Sequence, residues 1–404
     1  MNSASSDLYH WERENLGYQA GVLTIAGQQA EVMAHSAGAP VFLYDAQRIR
    51  QNLERLQAVL AQAGLSHSIY YAMKANRFPP LLTYLRLLGR CGVDVCSPEE
   101  LLSARQVGFA ETEISYTGTS VSEEDLAVLQ RHPGVIIHCD SLSSIRRLGR
   151  RCPGRRIGLR INPEMGLGYR MNRLLQYAGR KATKFGIYHG QFKAALHCAR
   201  ESDLLVEGIH FHTGCGYLTP QLPLWSQILE ACQRFVDECP DLRYLNLGGG
   251  LGIPLAEGDE PLDLSAWSAI ISRQFGNSNL RICIEPGDYL VKDAGILVLQ
   301  VNTVEEKGGT LFVGVNGGFN LHIEPAFYKL PLQVLPCRQP DSSLRRRVTI
   351  AGNINEACDL LAENILLPPV HEGDYLAFLN AGGYGSSMSS NHCLRGFFRE
   401  YLLP

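Results

Sequence analysis

Tyr70-Tyr71-Ala72-Met73-Lys74-Ala75-Asn76 brings a short apolar run to an end on a single lysine. Ile69–Ala72 reads as a strand, and the apolar spacing of Pro79–Leu88 reads as the helix that follows it. A lysine in isolation is usually a surface cation. One that leaves an apolar strand at the mouth of a parallel barrel can form a Schiff base once its pKa is lowered. The reading of Lys74 therefore turns on whether the flanking sequence builds such a barrel.

The flanking sequence does alternate in that way. Val41–Tyr44 precedes a helical stretch with Ile49, Leu53, Leu56 and Leu60 at spacings of three and four. Val93–Cys96 precedes a helix over Glu99–Val107. Further β-like runs follow at Glu113–Tyr116, Gly134–His138, Arg156–Ile161, Leu205–His212, Tyr244–Leu247 and Arg281–Glu285. With about eight strand candidates, a parallel (β/α)8 barrel is expected over residues 40–287. Beyond Asp288 the texture is β-rich, in Val298–Glu305, Thr310–Val315, Arg346–Ala351 and Tyr375–Leu379. An antiparallel β domain is expected there, over residues 288–404 with 1–39, joined by a hairpin of Gly21–Ile25 and Glu31–Met33.

Composition narrows the function classes. The chain has 404 residues, 45% of them hydrophobic and 19% charged, with a net charge of −3. That balance gives no electrostatic footprint for nucleic acid or an anionic membrane. Arg146–Arg151 and Arg345–Arg347 are short enough to be solvated faces. The first residues carry Asp7, Glu12 and Glu14 where a signal peptide needs an apolar core, and no apolar run reaches a membrane span of about 20 residues. Twelve scattered cysteines without a CxxC point to reduced thiols in a cytoplasmic protein, and no spacing suggests a metal site.

Three more segments carry chemistry at strand ends. Gly248-Gly249-Gly250 follows the strand Tyr244–Leu247; it is either a tight turn or a cradle of backbone N–H groups for a phosphate. No Lys-Ser/Thr follows, so it is not a P-loop. His210-Phe211-His212 places two histidines on one face of a strand, without a third ligand at metal-like spacing, and a ring stacked on an aromatic cofactor suits one of them better. Glu285-Pro286-Gly287 ends the last barrel strand with a carboxylate that could keep a pyridine nitrogen protonated.

Taken in order, these segments resemble the diaminopimelate/ornithine decarboxylase family, whose barrel is shared with alanine racemase. Tyr71–Asn76 is similar to the family's Y-A-x-K-A-N motif, and Val93–Leu101 to F-D-V-x-S-x-x-E-L. Arg160-Ile161-Asn162-Pro163 and Lys184-Phe185-Gly186 are similar to R-x-N-P and K-F-G. His212-x-Gly214, Gly248–Gly250, Glu285-Pro286-Gly287 and Ala381–Gly385 complete the series. The resemblance implies a pyridoxal 5'-phosphate (PLP) enzyme in which Lys74 carries the cofactor and His212 stacks on its ring. It further implies that Glu285 pairs with the pyridine nitrogen and that Asp94, Arg160, Cys215, Gly248, Gly249, Gly250, Gly287 and Tyr384 complete the cofactor site. A homodimer with shared active sites is implied, because the family's C-E-x-x-D segment is contributed by the partner subunit. Here that segment reads Asn355-Glu356-Ala357-Cys358-Asp359.

Asn355, Glu356 and Asp359 thus occupy catalytic and substrate-binding positions, but Asn355 cannot donate a proton as the family's cysteine can. His322, Cys358, Lys74 or water are the candidates left for that proton transfer. Asp288 stands where the family commonly has Arg, and Glu324, with Tyr328, where it has R-P-x-x-Y. Both exchanges replace a bidentate anion donor with an acceptor. This predicts a substrate with a cationic or modified distal end. With Asn355-Glu356-Ala357 and Gly382-Gly383-Tyr384 through Asn391-His392-Cys393, the pattern resembles the family branch of siderophore biosynthesis, which implies a diamino acid or its citryl conjugate, such as citryl-diaminopropionate. The alternatives are meso-diaminopimelate decarboxylation, an amino acid racemase and a non-catalytic PLP-binding protein.

Overall fold

The computed structural model describes residues 11–179, 181–340 and 343–404. The chain forms two compact units. One comprises Arg50–Ile253 with Glu260–Leu290; the other takes the chain up to Ile49, Pro254–Asp259 and Val291–Pro404.

The first unit is a closed barrel of eight parallel strands. In chain order they are His67–Ala72, Gly92–Val95, Ile114–Tyr116, Ile136–Cys139, Arg156–Asn162, Leu205–His210, Tyr244–Asn246 and Arg281–Ile284. Each pairs in parallel with the next, and the last closes on the first through Ile282↔His67 and Ile284↔Ile69. The two-residue strand Ile187–Tyr188 adds to the fifth strand outside this ring. Register sets the layers that matter for chemistry. Ala72, Asp94 and Ser115 are aligned across the first three strands, and Arg160, His210 and Asn246 across the fifth to seventh.

The outer helices are punctuated as their sequences require. Pro98–Val107 starts on Ser97, whose hydroxyl accepts the Glu100 N–H, and stops at Gly108 in the left-handed region. Glu123–Arg131 has a capping box formed by Ser122 and Asp125. In Ala46–Gln62 the residues Ile49, Leu53, Leu56 and Leu60 are fully buried. Burial of each such side chain contributes roughly 1.5–3 kcal/mol, and Leu53→Ala would cost about 2–5 kcal/mol.

The second unit corrects three expectations. Val41–Asp45 is not a barrel strand: it pairs with Gly295–Lys307 and with Arg399–Leu403. All five of its residues are buried, and a short apolar run buried on both faces looks the same in a barrel as in a sheet. The sheet is mixed rather than antiparallel, since Thr310–Val315 with Arg346–Ala351 and Arg399–Leu403 with Val41–Asp45 run parallel. The N-terminal hairpin joins Leu16–Gln19 to Val22–Ile25, whereas Glu31–Met33 lies in the helix Ala30–Ala37. Ala30 and Ala34 are buried there at helical spacing. Leu360–Leu367 escaped the sequence reading because Glu363 and Asn364 interrupt its apolar alternation. No helix among the described residues is long and apolar enough to cross a membrane.

Candidate active site

Lys74 sits in the single 3-10 turn Met73–Ala75 at the C-terminal end of the first barrel strand. The surrounding sequence motif is what holds that turn. The Tyr71 hydroxyl donates to the Asn76 carbonyl at 2.9 Å, and Asn76 Oδ1 accepts the Phe78 N–H at 3.0 Å. Lys74 Nζ lies 3.3 Å from Asp94 Oδ2, with its own side chain 45% exposed and Asp94 buried. The Lys74 side chain is thus partly open, with the Asp94 carboxyl fixed behind it. Partial desolvation pulls the Lys74 ammonium down, but Asp94, Cys96 and Glu285 outweigh it and leave it raised. Burial, then Glu285, push the Asp94 carboxyl up, and Lys74 opposes them. The turn after Asp94 is fixed by Glu100, which accepts the Cys96 N–H at 2.8 Å.

Glu285 ends the last barrel strand and is buried among three donors: His210 Nε2 at 2.9 Å, Asn246 Nδ2 at 2.6 Å and Ser115 Oγ at 3.3 Å. A carboxylate only accepts, so His210 must carry its proton on Nε2. Burial works to raise the Glu285 carboxyl; the hydrogen bond from His210 and the Lys74 ammonium oppose it, and the carboxyl is held well below the usual carboxylate range. Burial also lowers His210 and His212, which leaves both imidazoles neutral. His212 lies beyond the sixth strand, 3.6 Å from Cys215 Sγ, with its ring 4.9 Å from that of Tyr177. Arg160 is buried with its guanidinium 4.7 Å from the Phe185 ring centre, and Asn162 Nδ2 donates to the Phe185 carbonyl at 2.8 Å. The R-x-N-P and K-F-G segments therefore meet in space.

Gly248–Gly250 form a loop with no room for side chains. A Cβ at Gly249 would lie 2.2 Å from the Glu285 carbonyl, and one at Gly250 would lie 2.1 Å from the Gly214 carbonyl. Gly248 and Gly250 also have φ of +66° and +95°. Gly287 follows Glu285-Pro286 and accepts the Leu290 N–H at 3.0 Å; Asp288 then opens the short helix Asp288–Val291.

Three observations test this barrel mouth against a pyridine-phosphate cofactor. Asp94 Oδ1 and His210 Nδ1 are buried without a hydrogen-bond partner. The glycine loop leaves backbone where a phosphate would lie, and an ionised acid, a neutral imidazole and a lysine share one strand-end surface. The donor set fits PLP. His138, His210 and Glu285 also bring one ligand atom each within 4.8 Å of one another. The two imidazoles, however, stack at 4.6 Å and 24°, which sets their in-plane lone pairs side by side rather than converging. Hydrogen bonding is the use this geometry makes of them. Ser115, His138 and Asn246 were missed by sequence reasoning; the available signal was one polar residue inside each of three apolar strands.

The second unit holds the remaining candidates. Glu324, in the short helix Glu324–Tyr328, receives Lys292 Nζ at 2.6 and 2.7 Å, with both side chains buried. Lys292 thus neutralises the carboxylate that stands in place of the family's arginine. Asp359 accepts the N–H groups of Phe319 and Ile354 on its oxygens, each at 2.7 Å. It thereby holds the loop on which Asn355, Glu356 and Cys358 are exposed. Glu356 meets His392 Nε2 at 3.1 Å. Tyr384 adopts φ +56°, and its ring centre is 5.7 Å from Lys292 Nζ. Tyr328 packs edge-on against Phe327 at 4.9 Å. His322 is buried and pushed down to about 3 by burial and by Lys292, so it is neutral and a poor source of a proton.

Fold and site together define a barrel enzyme built around a lysine and a buried carboxylate, the arrangement used with PLP. Residues 46–292 match the family described as pyridoxal-dependent decarboxylase, pyridoxal binding domain. The chain is similar to diaminopimelate decarboxylase of Methanothermobacter thermautotrophicus, 34% identical over 394 residues, covering 95% of this chain and 91% of the relative. Diaminopimelate decarboxylase of Escherichia coli K12 is 32% identical over 390 residues, covering 90% and 89%. A crystal structure of diaminopimelate decarboxylase from M. jannaschii in co-complex with L-lysine superposes with a TM-score of 0.87 at 26% identity, over 96% of this chain and 92% of that one. The chain belongs to the pyridoxal-dependent decarboxylase family. It is a carboxy-lyase, and its cofactor is PLP.

Proposed function

We propose that this enzyme removes the α-carboxylate of a diamino acid of the diaminopimelate type, releasing CO₂ and a diamino product such as L-lysine. The observation that carries the reading is the pairing of an accessible Lys74 with a Glu285 held ionised by three donors. Support for the substrate comes from the relatives, which are named diaminopimelate decarboxylases. The expectation of a siderophore precursor rested on two added carboxylates and on the resemblance of the segments Asn355–Ala357 and Gly382–Cys393; Lys292 pairs with one of those carboxylates. Asp288 alone does not favour citryl-diaminopropionate over the substrate in the relatives' names.

When bound, PLP supplies an electron sink for the pair left by the departing carboxylate. In this reading Lys74 Nζ would hold the cofactor, and Asp94 fixes Lys74 at that position. Glu285 would keep the pyridine nitrogen protonated, and His212, pushed down by burial, would offer a neutral imidazole to the ring. The backbone of Gly248–Gly250, with Cys215 and Gly287, would receive the phosphate, and Arg160 maintains a positive potential beside Glu285. Glu356 is taken to act in the partner's site of a homodimer. Exposed Leu394, Phe397 and Phe327, 86%, 66% and 56% accessible, supply apolar surface for such an interface. Twelve free cysteines suit a reducing compartment such as the cytoplasm.

The experiment is a CO₂-release screen of the PLP-loaded enzyme with meso-diaminopimelate, ornithine, lysine, diaminobutyrate, diaminopropionate and citryl-diaminopropionate. Turnover of meso-diaminopimelate above all others is expected. Preference for citryl-diaminopropionate would overturn the substrate, and racemisation without CO₂ would overturn the reaction.

A further inference from the structure

Beneath Glu285 the barrel interior contains a polar network that the proposed chemistry does not itself use. Among the described residues, His210 is fixed by a hydrogen bond on one nitrogen: Nε2 donates to Glu285, and Nδ1 is buried with no partner among them. A ring held at one point can pivot unless something packs on its face. His138 does so, stacked at 4.6 Å and 24°. His138, by contrast, is held at both nitrogens, Nδ1 by Thr117 Oγ1 at 2.9 Å and Nε2 by the Tyr244 hydroxyl at 3.2 Å.

The barrel wall is shaped for this arrangement. A Cβ on Gly158 would lie 2.4 Å from His138 Cδ2 and 2.6 Å from the Tyr244 oxygen, and a Cβ on Gly208 would lie 2.0 Å from the Tyr244 ring. Two glycines on adjacent strands thus give the His138–Tyr244 pair its space, although glycine weakens a strand interior. Replacing both polar side chains with apolar ones would satisfy packing without leaving donors to pair, so packing alone does not account for the network.

We propose that His138 is a positioning residue: anchored at both nitrogens, it fixes the plane of His210 and so aims His210 Nε2–H at Glu285 Oε2. Through that bond it governs how firmly the Glu285 carboxylate meets the pyridine nitrogen. The groups facing the two rings are Glu285, Arg160, Lys74 and Tyr244. Burial, together with His210 and Arg160, pushes His138 down to about 3. The ring is therefore a neutral support at any working pH, not a charge.

The inference rests on Glu285 serving the pyridine nitrogen, and the test separates the two claims. Cofactor-free His138→Leu, Tyr244→Phe and Glu285→Gln proteins are titrated with PLP, and the visible band of each loaded protein is followed against pH. His138→Leu is expected to weaken PLP binding about tenfold, as for loss of a hydrogen bond to a charged group. It should also shift the pH dependence of the band and lower kcat with KM unchanged. Tyr244→Phe, which frees one anchor without emptying the site, should shift the same quantities in the same direction by less. Wild-type affinity and band in both variants, with Glu285→Gln impaired, would overturn the role of His138 alone. Wild-type behaviour of Glu285→Gln would overturn the assignment of Glu285 and the inference with it. Should His138→Leu not fold, Tyr244→Phe decides the matter.

Discussion

Lys292 Nζ lies 2.6 and 2.7 Å from the two oxygens of Glu324, and both side chains are buried. The pair sits beside Tyr384 and the buried His322. Two charges withdrawn from water are tolerated only while each has the other. This relationship reinterprets a sequence difference that looks, residue by residue, like reversed charge at a substrate contact.

The pair makes an asymmetric prediction. Lys292→Met takes the ammonium away from the buried Glu324 carboxylate and should destabilise the protein by about 3–5 kcal/mol. Lys292→Met with Glu324→Leu should recover most of that loss, because the desolvation cost disappears with the charges. Urea denaturation of both proteins measures the difference. Equal destabilisation by the single and double changes would mean that shape, not charge, holds this region.

Asp94 predicts a conflict between stability and activity. Its carboxyl is raised from 3.8 to about 8 in the folded protein, first by burial. Between those values the folded state keeps a proton that the unfolded state has released. The stability this group contributes is therefore present at low pH and lost as pH rises through that window. In cofactor-free protein Asp94→Asn should remove this slope and raise the melting temperature at pH 8, by about 2–4 °C per kcal/mol. Lys74 is too exposed for loss of its partner to offset much of the gain. CO₂ release by the loaded variant should fall at the same time. A melting temperature at pH 8 no higher than the wild type would contradict the assignment.

The barrel could be read from sequence because its strands are continuous apolar runs separated by periodic helices, and because the Lys74 turn is specified locally by Tyr71 and Asn76. Val41–Asp45 could not be placed in that way. A strand buried on both faces carries no mark of the sheet it will join, and its partners lie far along the chain at Gly295–Lys307 and Arg399–Leu403. The site shows the same division. Lys74, Glu285 and the glycine loop announce themselves at strand ends. Ser115, His138 and Asn246 come together only through barrel closure, and the Lys292–Glu324 pairing spans residues whose charges are opposite but whose proximity no local pattern encodes.

Gly249→Ala tests the glycine cradle. Its added Cβ would meet the Glu285 carbonyl at 2.2 Å, a contact with backbone that no rotamer change can relieve. The loop must move away from Glu285, and the backbone groups offered to phosphate move with it. PLP affinity should fall by at least about tenfold, with a loss of roughly 1–3 kcal/mol in stability from overpacking. Fluorescence titration of the cofactor-free variant reads the first effect and thermal melting the second. Wild-type affinity would show that the phosphate is held elsewhere.

Lys74 and Glu356 allow a test of site sharing. If each site takes Lys74 from one subunit and Glu356 from the other, Lys74→Ala and Glu356→Gln should each be inactive as pure dimers. Lys74→Ala should also lose the absorbance band near 420 nm (about the value for a lysine-bound cofactor). When equal amounts are unfolded, mixed and refolded, about half of the dimers are hybrids. In a hybrid one site receives both defective residues and the other receives neither, so activity should return to about a quarter of wild type. Recovery of that size places Glu356 in the partner's site. A mixture no more active than its components, in protein shown by light scattering to be dimeric, would confine Glu356 to its own subunit. The exposed loop held by Asp359 would then need another explanation.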